Sequence, residues 1–266
     1  MKLRVDHETR YSYDAPVAYG LQQVRLRPKD SRGQKVLDWT ITVEGGASEL
    51  SYEDHNGNRV DLIGIEPGRT ETSIRCVGMV ENTEGDGVLG PHKGFLPLWH
   101  FKRSSDLTRA GEGIRKLVSE LGDCDVAQVS TGHALSAAIL DTVGYEGGNT
   151  HSGTTAEEAI AGGTGVCQDH AHIFCSAARL MGLPARYVSG YLMMNDRVEQ
   201  DASHAWAEAY FEGIGWVGFD ISNGYSPDER YIRVATGIDF REAAPISGMR
   251  MGGSGEGVLV SLKVEQ

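Results

Sequence analysis

Features of several protein classes are missing from this sequence of 266 residues. It has no apolar run near the roughly 18 residues that span a bilayer. Residues 1–7 alternate charged and apolar side chains, unlike a signal peptide. Clusters of Lys and Arg are lacking too, and the net charge of −12 opposes binding to nucleic-acid phosphates. We therefore expect a protein that binds neither membranes nor nucleic acid.

Cysteine is also scarce, with four residues spread along the chain. Their spacing fits neither a disulfide framework nor the Cys-x-x-Cys pairs of common structural zinc sites. The sequence also has no acidic loop with the ligand spacing of a calcium site. It thus predicts no metal ion, no cofactor and a reducing, cytoplasmic location.

Glycine is abundant, with 35 residues, and the hydrophobic content of 40% suffices for a core. Residues 1–100 contain short runs of alternating apolar and polar side chains, separated by turn residues such as Asn56-Gly57. This pattern predicts an antiparallel β-sandwich as the N-terminal domain. Three histidines of this part, His7, His55 and His92, are isolated in the sequence, and we expect no chemical role for them.

The pattern changes after about residue 100, so we place a second domain at residues 101–266. Ser105-Asp106 resembles a helix start, and later segments show helical spacing. Strands follow Pro184, which predicts an α+β fold with helices packed on an antiparallel sheet. A last strand at residues 256–265 alternates strictly and fits a sheet of either domain.

Cys167 is the strongest candidate for a reactive side chain. It follows the turn Gly163-Thr164-Gly165 and opens a segment with a helical pattern. Unpaired N–H groups and the positive end of the helix dipole favour a thiolate at such a position. Cys124, by contrast, lies between two aspartates that disfavour a thiolate, and Cys175 has the apolar neighbours of a buried packing residue.

His204 and Asp220 supply the other two groups that a thiol nucleophile needs. Strands predicted at residues 203–211 and 215–220 are joined by a hairpin-length turn, so antiparallel pairing brings the two side chains together. His204 would take the thiol proton from Cys167, and Asp220 would orient the imidazole. The backbone N–H of Cys167 would bind the oxyanion. Each residue alone is more often structural, but the three in this order favour a Cys–His–Asp site.

Several blocks of the sequence resemble the bacterial transglutaminase-like superfamily of papain-fold cysteine enzymes. The blocks are Tyr11–Val17, Asp54–Val60, Gly165–Ala171, Gly182–Tyr191, Ser203–Glu208, Gly215–Asp220, Asn223-Gly224 and Tyr231–Phe240. The resemblance implies the family's β-rich N-terminal domain, followed by a papain-like, transglutaminase-like catalytic domain with the nucleophile at a helix N-terminus. It also implies that Cys167, His204 and Asp220 are the catalytic triad.

The same resemblance implies acyl transfer through a thioester on Cys167, with a peptide or protein as substrate. We favour hydrolysis, as by a peptidase or amidase, over transfer to an amine, as by a protein transglutaminase. A non-catalytic binding protein with the same fold is a third alternative. The calcium dependence of the animal enzymes is not carried over to this chain.

Two residues on the predicted second strand have roles that the sequence leaves open. Trp206 and Glu208 share a face with His204, because every second residue of a strand points the same way. They would then either line the substrate cleft or lie buried below it. Arg186 is the candidate ion-pair partner for a buried Glu208.

The sequence also leaves open the roles of two residues close to Cys167. Gln168 directly follows Cys167 and is a candidate for binding the oxyanion or the substrate. His170 lies three positions after Cys167, close enough on a helix to be a rival base.

Overall fold

The computed structural model describes residues 1–83, 85–252 and 255–266. Its strands are β1 (Lys2–Tyr13), β2 (Tyr19–Arg27), β3 (Gln34–Glu44), β4 (Gly46–Glu53), β5 (Arg59–Ile65), β6 (Glu71–Asn82), β7 (Val88–Gly90), β8 (Gly144–Tyr145), β9 (Thr164–Gly165), β10 (Ala185–Leu192), β11 (Glu199–Gln200), β12 (His204–Phe211), β13 (Gly215–Phe219), β14 (Tyr231–Gly237), β15 (Ile246–Met251) and β16 (Glu256–Glu265). Its helices are the 3₁₀ helix Leu98–Lys102, α1 (Glu112–Glu120), α2 (Val129–Thr142), α3 (Ala156–Gly162), α4 (Cys167–Leu180) and α5 (Phe240–Ala243). No helix in the described part is long and apolar enough to cross a membrane.

Strands β1 to β6 lie in two antiparallel sheets. One sheet has the order β11-β16-β1-β6-β3 and the other β15-β2-β5-β4. Alternate side chains of β1, such as Leu3 and Val5, are buried in a common core with Val24 from β2 and Ile63 from β5. The strict alternation seen in the sequence thus places one apolar face of each sheet against the other. The predicted N-terminal antiparallel sandwich is confirmed.

The C-terminal strands complete both sheets of the sandwich. Strand β16 pairs with β1, with Val264 opposite Val5, and β15 pairs with β2. The last strand, which the sequence allowed in either domain, therefore lies in the N-terminal sheet, where Leu262 and Val264 are buried. Strand β7, from the N-terminal part of the chain, pairs in turn with β13 of the second sheet. Each predicted domain therefore contributes a strand to a sheet of the other, and the domain limit at residue 100 stays a prediction.

A second five-stranded sheet, of order β14-β10-β12-β13-β7, carries the helices. Helix α4 packs against β12, where Ala205, Ala207 and Ala209 are buried in one core with Phe174 of the helix. Small side chains on this strand face allow the helix backbone to come close. The predicted arrangement of helices packed on an antiparallel sheet is confirmed.

The first helix begins later than the sequence indicates. Ser105 and Thr108 close a turn, in which Thr108 N–H donates to the Ser105 carbonyl at 3.2 Å, and α1 begins at Glu112. The carboxylate of Glu157, on α3, accepts hydrogen bonds from the N–H groups of Gly111 at 2.6 Å and Ile114 at 2.9 Å. A side chain far along the chain therefore fixes the helix start by satisfying its unpaired N–H groups. The prediction of a start at Ser105-Asp106 is wrong.

Candidate active site

Cys167 is the first residue of α4, at the end of a tight turn. Gly163 ends α3 with φ of 70°, in the left-handed region that favours glycine. A Cβ on Gly165 would lie 2.8 Å from Cβ of Asp169, so a side chain there would displace Asp169. The Asp169 carboxylate accepts a hydrogen bond from Val166 N–H at 2.8 Å and places negative charge at the helix N-terminus. Local sequence therefore fixes where the thiol lies.

His204 and Asp220 come together at one end of the β12–β13 hairpin. The strands pair in the predicted antiparallel sense, with Ala207 opposite Phe219. His204 Nε2 lies 2.6 Å from Asp220 Oδ2, and both side chains are buried. Because Asp220 occupies Nε2, Nδ1 is the ring nitrogen left for the thiol of Cys167, and Cys167 and His204 line the same cleft. The structure thus brings the three predicted residues together.

A cleft of about 410 Å³ opens at the thiol. Cys167 and His204 line it together with aromatic side chains from three other elements. These are Tyr145 of β8, Tyr187 of β10 and Phe240 of α5. The cleft has room for part of a peptide chain beside the sulfur.

Asp220 is held by more donors than the sequence indicated. Its Oδ2 accepts hydrogen bonds from Asn223 Nδ2 and from the Tyr231 hydroxyl, both at 2.7 Å, in addition to His204. Three donors on one oxygen fix the carboxylate and stabilise its ionised form. Asn223 is three residues from Asp220 in a turn, a spacing that could have pointed to it. Tyr231 comes from the separate strand β14 and gave no such local signal.

The charges of His204 and Asp220 stabilise each other. Burial alone would lower the pKa of His204, but the hydrogen bonds to Asp220 and Cys167 outweigh it and raise that pKa to about 10. Burial would likewise raise the pKa of Asp220, yet the hydrogen bond from His204 and its charge hold it below the usual value. The imidazole is therefore an imidazolium at neutral pH, the partner that a thiolate requires.

We predict that His204 titrates far above other histidines. In an NMR titration, its ring protons should shift with a midpoint near pH 10, and Asp220→Asn should lower that midpoint. The pair should also stabilise the fold fully below about pH 6.5, where an unfolded histidine is protonated too. That stabilisation should decline as the pH rises from about 6.5 toward 10, because only the folded state then keeps the proton. A midpoint at or below 6.5 would contradict the prediction.

His170 is held by partners other than Cys167. Its Nε2 lies 3.0 Å from the carbonyl oxygen of Val143, so this nitrogen carries a proton and donates. Its Nδ1 lies 2.9 Å from the Ser222 hydroxyl, and the ring is completely buried. Burial also lowers the pKa of His170. With both nitrogens engaged elsewhere, the ring has no free lone pair for the proton of Cys167.

Gln168, Trp206 and Glu208, the other residues predicted near the site, differ in their distance from the cleft. Gln168 lines the cleft, but its Nε2 donates to the Ser152 carbonyl at 3.3 Å. Trp206 stacks on His204, with ring centroids 6.2 Å apart, and so supports the imidazole from below. Glu208 lies further along the same face, away from the cleft lining.

Glu208 is the centre of a buried ionic cluster. Its carboxylate lies 2.5 Å from Nε of Arg186, the partner that the sequence suggested, and 2.7 Å from Nε of Arg233. Arg186 also lies over the ring of Trp216, 3.9 Å from its centroid. This cluster joins β10, β12, β13 and β14 on the sheet face opposite α4.

The other three cysteines differ in their exposure to solvent. Cys76 and Cys175 are completely buried, and burial raises the pKa of each thiol to about 11. Cys175 is a residue of α4, and its burial in the core matches the predicted packing role. Cys124 lies in the loop between α1 and α2 and is partly exposed.

Comparison with known families gives two matches. Residues 116–221 match the model of the transglutaminase-like superfamily, a segment that includes Cys167, His204 and Asp220. Residues 3–81 match the bacterial transglutaminase-like N-terminal region, which corresponds to β1 to β6.

Relatives of similar length exist in mycobacteria. A protein of Mycobacterium leprae, described only as uncharacterized, is 27% identical over 267 residues, which cover 94% of both chains. One of Mycobacterium tuberculosis, described in the same way, is 28% identical over 281 residues, covering 93% of this chain and 87% of the relative. Among solved structures, a protein from Cytophaga hutchinsonii described as "a Putative Cysteine Protease" has the same fold. It superposes with a TM-score of 0.76 and 22% identity over 100% of this chain and 98% of that one.

Proposed function

Because the chain belongs to the transglutaminase-like superfamily, a family of cysteine-type enzymes, we propose that it hydrolyses peptide or carboxamide bonds through a thioester on Cys167. Cys167 is the nucleophile, His204 the general base and acid, and Asp220 the residue that orients His204. The observation that carries this proposal is the 2.6 Å hydrogen bond between His204 Nε2 and Asp220 Oδ2, which leaves Nδ1 for the thiol.

The reaction begins from the ion pair of a Cys167 thiolate and a His204 imidazolium, in which Nδ1 of His204 already holds the thiol proton. The sulfur then attacks the carbonyl carbon, and the carbonyl oxygen becomes an oxyanion. The N–H of Cys167 lies in the first turn of α4, where no helix carbonyl is available to it, and can donate to this oxygen. When the C–N bond breaks, the imidazolium gives its proton to the leaving amine, and a thioester remains.

Water resolves the thioester in the second half of the reaction. His204, now neutral, takes a proton from water as the hydroxyl oxygen attacks the acyl carbon. The C–S bond breaks, a carboxylic acid leaves, and the thiolate–imidazolium pair forms again. Hydrolysis needs no acceptor site, whereas transfer to an amine needs one that binds the amine and keeps water out.

A glutamine-containing peptide tests this outcome directly. Incubated with the protein alone, the peptide should lose ammonia or be cleaved, and mass spectrometry should show the mass change. In the presence of a labelled primary amine, the label should not appear in the peptide. Incorporated label would make the protein a transglutaminase and overturn the proposed hydrolysis.

Alkylation tests whether the thiol is activated at all. We predict that iodoacetamide at low concentration modifies Cys167 at least about tenfold faster than Cys124, the other partly exposed thiol. Peptide mass mapping gives both rates in one sample. His204→Gln should slow the reaction at Cys167 and leave that at Cys124 unchanged. Equal rates in the unmodified sequence would favour a non-catalytic binding protein.

A further inference from the structure

Three side chains with metal-binding atoms meet away from the Cys167 cleft. His55 lies in the turn between β4 and β5, His100 in the 3₁₀ helix and Glu242 in α5. One ring nitrogen of each histidine and one carboxylate oxygen of Glu242 lie within 4.8 Å of one another. The three positions are far apart in the chain, so the isolated His55 of the sequence gains its partners only in the fold.

The contact between His55 and Glu242 has the geometry of two acceptors facing each other. Nε2 of His55 lies 3.5 Å from Oε1 of Glu242. The side-chain amide of Asn56 lies 3.2 Å from the same Nε2 and 2.8 Å from Oε2 of Glu242. An amide nitrogen only donates, so Nε2 accepts there and carries no proton. A cation between Nε2 and Oε1 would take this lone pair in place of the Asn56 amide, which keeps its hydrogen bond to Oε2 of Glu242.

His100 adds a second, independent observation. Its side chain is buried, with 9% of its surface exposed, and its Nε2 has no hydrogen-bond partner among the described residues. A buried polar atom without a partner is rare, because its lost hydration is not replaced.

We propose that His55, His100 and Glu242 form a binding site for a divalent transition-metal ion, of which Zn²⁺ fits best. Two imidazoles and one carboxylate are a donor set that zinc accepts, with a fourth position left for water. Ligand atoms about 2.0–2.1 Å from zinc lie about 3.4 Å from one another in a tetrahedron. The His55–Glu242 contact of 3.5 Å already matches, and the half-exposed His55 side chain is free to adjust toward His100.

A metal at this site would join three parts of the fold. His55 belongs to the N-terminal sandwich, His100 to the segment after it, and Glu242 to α5. In the same short helix, Phe240 lines the Cys167 cleft, and its N–H donates to His172 Nε2 at 3.0 Å. The ion would therefore hold one wall of the cleft against the N-terminal domain.

Equilibrium dialysis against Zn²⁺ tests the site. The full chain without a histidine tag is used, and every sample carries Cys167→Ser, so that the thiol and His204 do not bind zinc themselves. We expect one Zn²⁺ per chain and a melting temperature that rises with zinc concentration. His55→Gln and Glu242→Gln should each weaken Zn²⁺ binding at least about tenfold, because each variant removes one of the three proposed ligands.

His133→Gln is the matched control, because His133 is exposed and lies on α2, outside the cluster. It should bind Zn²⁺ as the parent does. Bound Co²⁺ should give the visible absorption of a tetrahedral site in the parent and in His133→Gln, but not in His55→Gln. Absence of stoichiometric metal, or equal affinity in the parent and His55→Gln, would overturn the proposal.

Discussion

Replacing Cys167 with serine is expected to lower the rate of peptide or amide turnover by about four to six orders of magnitude, the range seen when a triad nucleophile is removed. The hydroxyl keeps the shape of the site but ionises far less readily than a thiol, so the imidazolium of His204 no longer has a thiolate partner. Binding of substrate should change little, because the cleft walls are intact. The loss should therefore appear in kcat and leave KM nearly unchanged.

Steady-state kinetics with a substrate found in the peptide assay measures this loss. The matched control is Cys124→Ser, which removes a partly exposed thiol in a distant loop and should keep full activity. Circular dichroism and the melting temperature of both variants show that the fold is kept. Activity of Cys167→Ser within about tenfold of the parent would exclude Cys167 as the nucleophile.

Replacing Glu208 with glutamine is expected to destabilise the fold by about 3–5 kcal/mol, the usual cost of leaving buried charges without their partner. The carboxylate is completely buried and pairs with both Arg186 and Arg233. Burial would raise the pKa of Glu208, but the two guanidinium groups outweigh it and lower that pKa. The stabilisation is thus complete above the unfolded value of about 4.5 and is lost as the pH falls below it.

Urea unfolding at neutral pH measures the change in free energy. Glu66→Gln is the matched control, since Glu66 pairs with Arg69 on the surface, where both side chains are about half exposed. Surface ion pairs contribute little to stability, so this variant should have nearly the same free energy of unfolding as the parent. The difference between Glu208→Gln and the parent should shrink in acid, where Glu208 of the parent is itself protonated. Equal stability of Glu208→Gln and parent at neutral pH would contradict a stabilising role for the cluster.

Much of the fold could be predicted because the relevant interactions are local. The period-2 alternation of β1 and β12 fixes which side chains face the core, and the hairpin-length turn fixes the pairing of β12 with β13. The start of α3 is another example, because Thr155 and Glu158 have the spacing of a capping box and Glu158 N–H donates to Thr155 Oγ1 at 3.2 Å. Such signals depend on residues at most a few positions apart.

Interactions between distant segments could not be predicted in the same way. The alternation of β16 shows a strand but not its neighbour, since many edges offer the same backbone hydrogen bonds. The start of α1 depends on Glu157, and the position of Asp220 depends on Tyr231. Each depends on which surfaces pack together, and that is a property of the whole core.

By itself, the sequence determined which residues form the candidate site and the local setting of Cys167. A glycine turn before Cys167 and a hairpin that joins His204 to Asp220 follow from side-chain chemistry and short-range geometry. The tertiary structure alone decided that Nδ1 of His204 is left for the thiol and that Glu208 lies in an ionic cluster outside the cleft lining. It alone placed His55 beside His100 and Glu242. The reason is physical: the packing of apolar faces brings polar groups together that no spacing along the chain relates.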